Sequence, residues 1–149
     1  QGSGLRRATG ERWAYAFAKS WMTTNRDCAA RGRGDDVAME TVAIFTPERL
    51  VATEQIRLPE SRVGLMARIG SMPDVPVVVT HLAAGRRNQP QRVSQLDMLL
   101  GRGAQYGAGV LMGDLNARPD AVELMPVLAR YRDSWFEANR RGIDIACAP

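Results

Sequence analysis

The chain has 149 residues, 45% of them apolar and 24% charged, a single-domain length and a composition suited to a folded domain rather than a disordered one. Its formal charge of +4 and pI near 9.7 suit a polyanionic partner, but 19 of its 20 basic residues are Arg. Alongside the Ala and Gly content, that bias is what GC-rich coding produces by itself, and this reading ranks ahead of selected nucleic-acid binding. No apolar run reaches the roughly 18–20 residues of a membrane span, and Cys28 and Cys147 lack the spacing of a zinc site or disulfide framework.

Gln1-Gly2-Ser3-Gly4 has neither an initiating Met nor a signal pattern, so it reads as a linker, a processed end or an excerpt boundary and leaves the compartment unassigned. Trp13-Ala14-Tyr15-Ala16-Phe17 sets aromatics at every second position, as a half-buried strand does. A polar, Arg- and Gly-rich loop follows from about Thr23 to Asp36. Val37–Phe45 predicts a strand ended by Thr46-Pro47. Leu50–Leu58 predicts another, with Leu50, Ala52, Ile56 and Leu58 on one face and Glu54 interrupting it.

Val63, Leu65, Ala67 and Ile69 alternate with Arg62, Gly64, Met66 and Arg68, a further strand, and Gly70–Pro76 reads as a tight connection. The continuously apolar Val77–Leu82 predicts a central strand. Pro90 suits the first turn of a helix with the stripe Val93, Leu96, Leu99 and Leu100, ended by Gly101 and Gly103. Gly109–Met112 predicts a short buried strand, and Asp120–Tyr131 a helical stretch that Pro126 kinks or splits. With no repeat and no concentrated linker, residues 1–149 are expected to form one domain. Strands dominate the first half and alternate with helices in the second, which predicts a sheet-rich α/β (α+β) layered sandwich.

Two strand ends carry the candidate chemistry. Thr80-His81-Leu82 ends one apolar strand and Gly113-Asp114-Leu115-Asn116 ends the other, where open α/β folds place ligands. His81, the single histidine, also suits a hydrogen-bonded structural role, and Gly-Asp-x-Asn is good turn chemistry in its own right. The i, i+2 spacing of Asp114 and Asn116 offers an anionic oxygen as ligand or base beside a neutral amide that can hold a phosphoryl oxygen.

The run Val77-Val78-Val79-Thr80-His81-Leu82, the Arg92-x-x-Gln95 helix, Val110-Leu111-Met112-Gly113-Asp114-Leu115-Asn116-Ala117 and Asp133-Ser134-Trp135 resembles, in motif, order and spacing, the endonuclease/exonuclease/phosphatase superfamily that includes deoxyribonuclease I. The likeness is clearest over residues 63–135. It implies a four-layer sandwich of two β-sheets between helices, incomplete here, and a metal-dependent phosphoester hydrolase, a nuclease or phosphodiesterase. Asp114 would align or deprotonate the attacking water and stand as a candidate metal ligand, Asn116 would bind the scissile phosphate and His81 would lie beside it. The ion would be Mg²⁺ or Mn²⁺.

Family members begin with a strand ending in Asn and then supply a metal-binding Glu, and no equivalent precedes Trp13. They also end in Ser-Asp-His, whereas no histidine follows His81 here. Gly142-Ile143-Asp144-Ile145 resembles the family's Ile-Asp-Tyr strand and makes Asp144 a further candidate. Glu40 and Glu54, conceivable substitute ligands, read as solvated strand-face residues. Arg86 and Arg87 are candidate phosphate contacts, and Arg92 and Gln95 candidate braces of the strand ends. Three readings follow: an active metal-dependent hydrolase, a phosphate- or nucleic-acid-binding domain without catalysis, and an inactive fragment with exposed sheet edges. The expected substrate is a phosphoester, with nucleic acid slightly favoured through charge over phospholipid or inositol phosphate; oligomeric state is left open.

Overall fold

A computed structural model describes residues 12–19 and 41–142, in two compact units that meet between Asn116 and Ala117. Glu40, Asp144 and both cysteines lie outside the described residues, as do the Thr23–Asp36 loop and the start of the strand expected from Val37.

Among the described residues the first unit holds six strands in two sheets. Strands β1 (Ala14–Lys19) and β2 (Thr41–Thr46) form an antiparallel pair, with Ala16 opposite Ile44 and Ala18 opposite Val42. Strands β3 (Leu50–Arg57), β4 (Val63–Ile69), β5 (Met72–His81) and β6 (Val110–Asp114) form the second sheet in that order, antiparallel except for the parallel β5–β6 pair. Side chains alternate across a strand, so one face of β4 sends Val63, Leu65 and Ala67 against Ala18, Val42 and Ile44 of the smaller sheet. Its other face meets helix α1 (Gln89–Tyr106), where Gly64 leaves room for Leu99: a Cβ at Gly64 would lie 2.9 Å from the Leu99 Cδ2 atom. Covered on both sides, β4 is buried from Val63 to Ala67. Among the described residues the layers are therefore sheet, sheet and helix.

Some of these expectations hold and others are corrected. The half-buried alternation of β1 is as expected, with the alanine face inward; Tyr15 and Phe17 point outward, and Tyr15 stacks with Phe17 and with Phe45 at centroid separations of 6.4 and 5.9 Å. Alternation marks two faces without saying which is inner, and here the small side chains fit the inter-sheet space. An irregularity between Leu50 and Ala52 breaks the one-face pattern of β3, sending Leu50 toward the smaller sheet while Ile56 packs near Leu99. Glu54 lies on a partly solvated face as expected, and its Oε1 atom also meets Arg102 Nη2 on α1 at 2.6 Å in an exposed ion pair.

The Gly70–Pro76 connection contracts to a turn at Gly70 and Ser71, whose amides donate to Arg49 O and Glu48 Oε2, both at 2.9 Å. Strand β5 starts at Met72 because the β4–β5 register shifts after Arg68, whose guanidinium donates to Pro73 O at 2.7 Å. Helix α1 does not stop at Gly101 and Gly103 but runs to Tyr106 and ends at Gly107, φ 84°. Two glycines cost a helix about 1 kcal/mol each, less than the packing of a long inner row supplies. That row is Arg92, Gln95, Leu96, Leu99, Leu100 and Gly103; Val93, expected on it, is exposed. Strand β6, expected to be buried, is an edge strand of the described sheet and leaves Val110 and Met112 exposed.

In the second unit Pro126 splits the expected helical stretch. A 3₁₀ turn, Val122–Leu124, is followed by the short helix α2 (Met125–Leu128) with Pro126 in its first turn. Helix α3 (Ser134–Arg140) is capped by Asp133, whose Oδ1 atom accepts from Phe136 N at 3.0 Å. Glu137 accepts from Arg140 at 2.9 Å, and that contact, ahead of its other surroundings, draws its carboxyl below the usual range. No helix among the described residues is long and apolar enough to cross a membrane.

Candidate active site

The parallel β5–β6 register brings the two candidate strand ends together. Thr80 pairs with Gly113 and His81 with Asp114, so both polar side chains leave the sheet on one rung. Gly113 makes this approach possible. Its φ of 125° is unfavourable for any residue with a Cβ, and that carbon would fall onto the Thr80 carbonyl oxygen, with Thr80 N and C only 3.0 Å away. Thr80 itself is buried and donates through Oγ1 to Val63 O at 3.2 Å, tying the end of β5 to the start of β4.

Asp114 uses its two oxygens differently. Oδ1 accepts from the Asn116 backbone N–H at 2.8 Å, and Oδ2 lies 3.8 Å from His81 Nε2. The side chains are 65% and 38% exposed, so the pair is open to solvent and becomes an ion pair only when the imidazole is protonated. Asn116 sits in the left-handed region, φ 49°, which Asn tolerates better than most residues, and its Nδ2 donates to Leu82 O at 2.9 Å. The backbone closes the same corner through Leu82 N–H to Asp114 O, 2.9 Å. Turn chemistry and site assembly, alternatives in the sequence, are here one structure: the Asx-type turn aims Asp114 Oδ2 at His81.

Directly after this corner, Arg86 and Arg87 lie exposed on a single 3₁₀ turn that opens at Gly85, φ 92°. The structure thus groups His81, Asp114 and Asn116 and sets the two arginines a few residues further along the chain. Arg92 and Gln95, the expected braces of the strand ends, are both buried, and both bond to backbone leaving β5. Arg-x-x-Gln at helical spacing was the available signal.

The resemblance implies a bound Mg²⁺ or Mn²⁺. Such an ion takes about six oxygen ligands, commonly one or two carboxylates with waters and substrate phosphate. Among the described residues no group of three or more His, Cys, Asp or Glu side chains is placed to hold a metal, and Asp114 has one oxygen already engaged. The described residues alone do not make up a metal site.

No family model and no curated protein sequence matches the chain. Solved structures do. The human Nocturnin catalytic domain with bound sulfate anion is 20% identical over 81% of this chain and 48% of its own, with a TM-score of 0.61. TDP2 from D. rerio complexed with single-strand DNA product is 18% identical over 97% and 54%, also at 0.61. ANGEL2, a 2',3'-cyclic phosphatase, in complex with adenosine-2',3'-vanadate is 21% identical over 79% and 36%, at 0.53. The chain spans about half or less of the length of these structures. Its fold is deoxyribonuclease I-like, the fold of the endonuclease/exonuclease/phosphatase superfamily, represented in part, as the strand-end motifs led one to expect.

Proposed function

We propose that the chain carries the strand-end portion of a divalent-metal-dependent phosphoester hydrolase, a nuclease or phosphodiesterase. The observation that supports this reading best is the single rung on which Asp114 Oδ2 faces His81, with Asn116 pinning the turn behind it. In this reading Asp114 orients or deprotonates the attacking water through its less engaged oxygen. An imidazole N–H of His81 donates to a phosphoryl oxygen, and the second Nδ2 proton of Asn116 is available to the same group. Asp114 is also the described side chain best placed to lend an oxygen to Mg²⁺ or Mn²⁺, which when bound screens phosphate charge. The remaining ligands would come from outside the described residues, and Asp144, the other candidate from the sequence, is among the positions not described.

Arg86 and Arg87 supply guanidinium donors for substrate phosphates beyond the scissile one. The similar structures hold a sulfate anion, a single-strand DNA product and adenosine-2',3'-vanadate. Those ligands, with the basic charge of this chain, favour nucleic acid or a nucleotide ester as substrate. The test is hydrolysis of plasmid DNA and bis-p-nitrophenyl phosphate with Mn²⁺ or Mg²⁺, by the wild type and by Asp114→Ala and Asn116→Ala. Turnover that requires the ion and falls by about 10²–10⁴-fold in Asp114→Ala is expected. A cooperatively folded chain that binds polyanions in a salt-sensitive manner without turnover would replace this reading with that of a binding domain.

A further inference from the structure

The segment leaving β5 is held at nearly every polar backbone group. Leu82 is bound on both sides by the Asp114–Asn116 corner. Ala83 N–H donates to Gln95 Oε1 at 2.9 Å, and one Arg92 nitrogen, Nη1, donates to Ala83 O at 3.1 Å and Gly85 O at 2.8 Å. Ala84 O accepts from Asn88 Nδ2 at 2.6 Å. Gln95 also donates through Nε2 to Pro59 O at 3.0 Å, so it links this segment to the β3–β4 connection.

These two side chains are a costly way merely to pack a helix. Gln95 is 0% exposed and Arg92 5%, in the row where Leu96, Leu99 and Leu100 provide the apolar contact. Apolar residues of similar volume commonly match or exceed the stability of buried charged and polar groups, whose distinctive contribution is a fixed geometry. Here the Arg92 bonds to Ala83 O and Gly85 O and the Gln95 bond to Ala83 N–H end on the few residues between His81 and Arg86, and the second Gln95 bond anchors them to Pro59 O.

We infer that Arg92 and Gln95 are positioning residues for the strand-end site. They hold Leu82–Gly85 in the conformation that turns His81 toward Asp114 and projects Arg86 and Arg87 from a fixed turn. The inference rests on the reading of that corner as a phosphoester site. Neither residue touches the reacting atoms; both act through backbone.

Gln95→Met keeps the volume and removes both bonds, whereas Gln95→Glu retains an acceptor for Ala83 N–H and, when protonated, a donor for Pro59 O. Leu99→Ala serves as a control that loosens helix packing without touching the segment. Hydrogen exchange is followed by NMR at Ala83 and, as reference, at Leu65. In Gln95→Met the Ala83 amide should exchange about 10- to 100-fold faster relative to Leu65. Affinity for inorganic phosphate, read from the His81 and Asn116 resonances, and kcat/KM for bis-p-nitrophenyl phosphate should each fall about tenfold or more. Gln95→Glu should restore most of both, and Leu99→Ala should leave both near wild type below its melting temperature. Arg92→Lys, which keeps charge but loses the planar fork, repeats the test if Gln95→Met does not fold.

An active wild type whose Gln95→Met variant retains Ala83 protection and kcat/KM would overturn the positioning role and leave the hydrolase reading standing. A wild type that neither binds phosphate nor turns over substrate would overturn both.

Discussion

Replacing Gly113 with Ala tests whether the meeting of the two strand ends depends on the absence of a side chain. The added Cβ would land on the Thr80 carbonyl oxygen, and Thr80 N and C lie 3.0 Å from the same point. These are backbone atoms of the neighbouring strand, so no rotamer change relieves the clash; either β6 withdraws from β5 or the end of the ladder opens. To this is added the strain of placing Ala at φ 125°. Overpacking of this kind and backbone strain each cost about 1–3 kcal/mol, which together gives about 3–5 kcal/mol. Against a typical domain stability of about 5–15 kcal/mol this is a large loss. With a urea m-value of about 2 kcal/mol/M, the unfolding midpoint measured by far-UV circular dichroism should fall by about 1.5–2.5 M with m unchanged. Phosphate binding at the corner should weaken in parallel even where the variant is folded. A midpoint within about 0.3 M of wild type would refute the argument, because it would mean the two strands do not approach as closely as described.

Other glycines separate by the same reasoning. Gly101, exposed within α1 with nothing within 4 Å of where a Cβ would stand, should accept Ala with a gain of about 0.5–1 kcal/mol and a melting point a few degrees higher, whereas Gly64→Ala pushes on Leu99 and should cost about 1–3 kcal/mol; thermal melts of both check the sign. Burial, with a smaller effect from Glu54, raises the Tyr106 phenol to about 12. Because the folded value lies above the unfolded value near 10, this contribution to stability is complete below about pH 10 and is lost as pH rises toward 12. Spectrophotometric titration should show a late phenolate component that Tyr106→Phe abolishes. Asp133→Ala removes the cap of α3 and should cost that unit about 1 kcal/mol, read as loss of amide protection at Phe136.

The strands that cross the centre of the second sheet were legible because their own residues carry the signal: β4 alternates, with Val63, Leu65, Ala67 and Ile69 on one face, and β5 carries a continuous apolar run. The corner of the site was legible for a related reason, since two apolar strands each broke off at a polar motif and parallel pairing placed the motifs side by side. What was not legible depends on neighbours. Nothing within Val110–Asp114 tells that β6 lies at an edge of the described sheet, or that the alanines of β1 face inward and its aromatics outward. Local rules also misjudged α1, whose glycines are outweighed by tertiary packing and whose inner row begins with an arginine and a glutamine. A search for apolar periodicity passes over both, although both are buried and Gln95 is among the fully buried side chains of the described residues.

The pairing of His81 with Asp114 is set by strand register, and register is a whole number. A slip of one residue would turn one of the two side chains to the opposite face, and a slip of two would separate them by about 6.6 Å. Between these there is no intermediate ladder in which the imidazole and carboxylate are slightly misaligned. Substitutions in the interior of the sheet should therefore wear down its stability long before they detune this distance, and the crossover between the strands can be lengthened around Gly107 and Ala108 without the corner registering the change. The candidate corner is specified as a count of rungs, which a substitution can break but cannot gradually stretch.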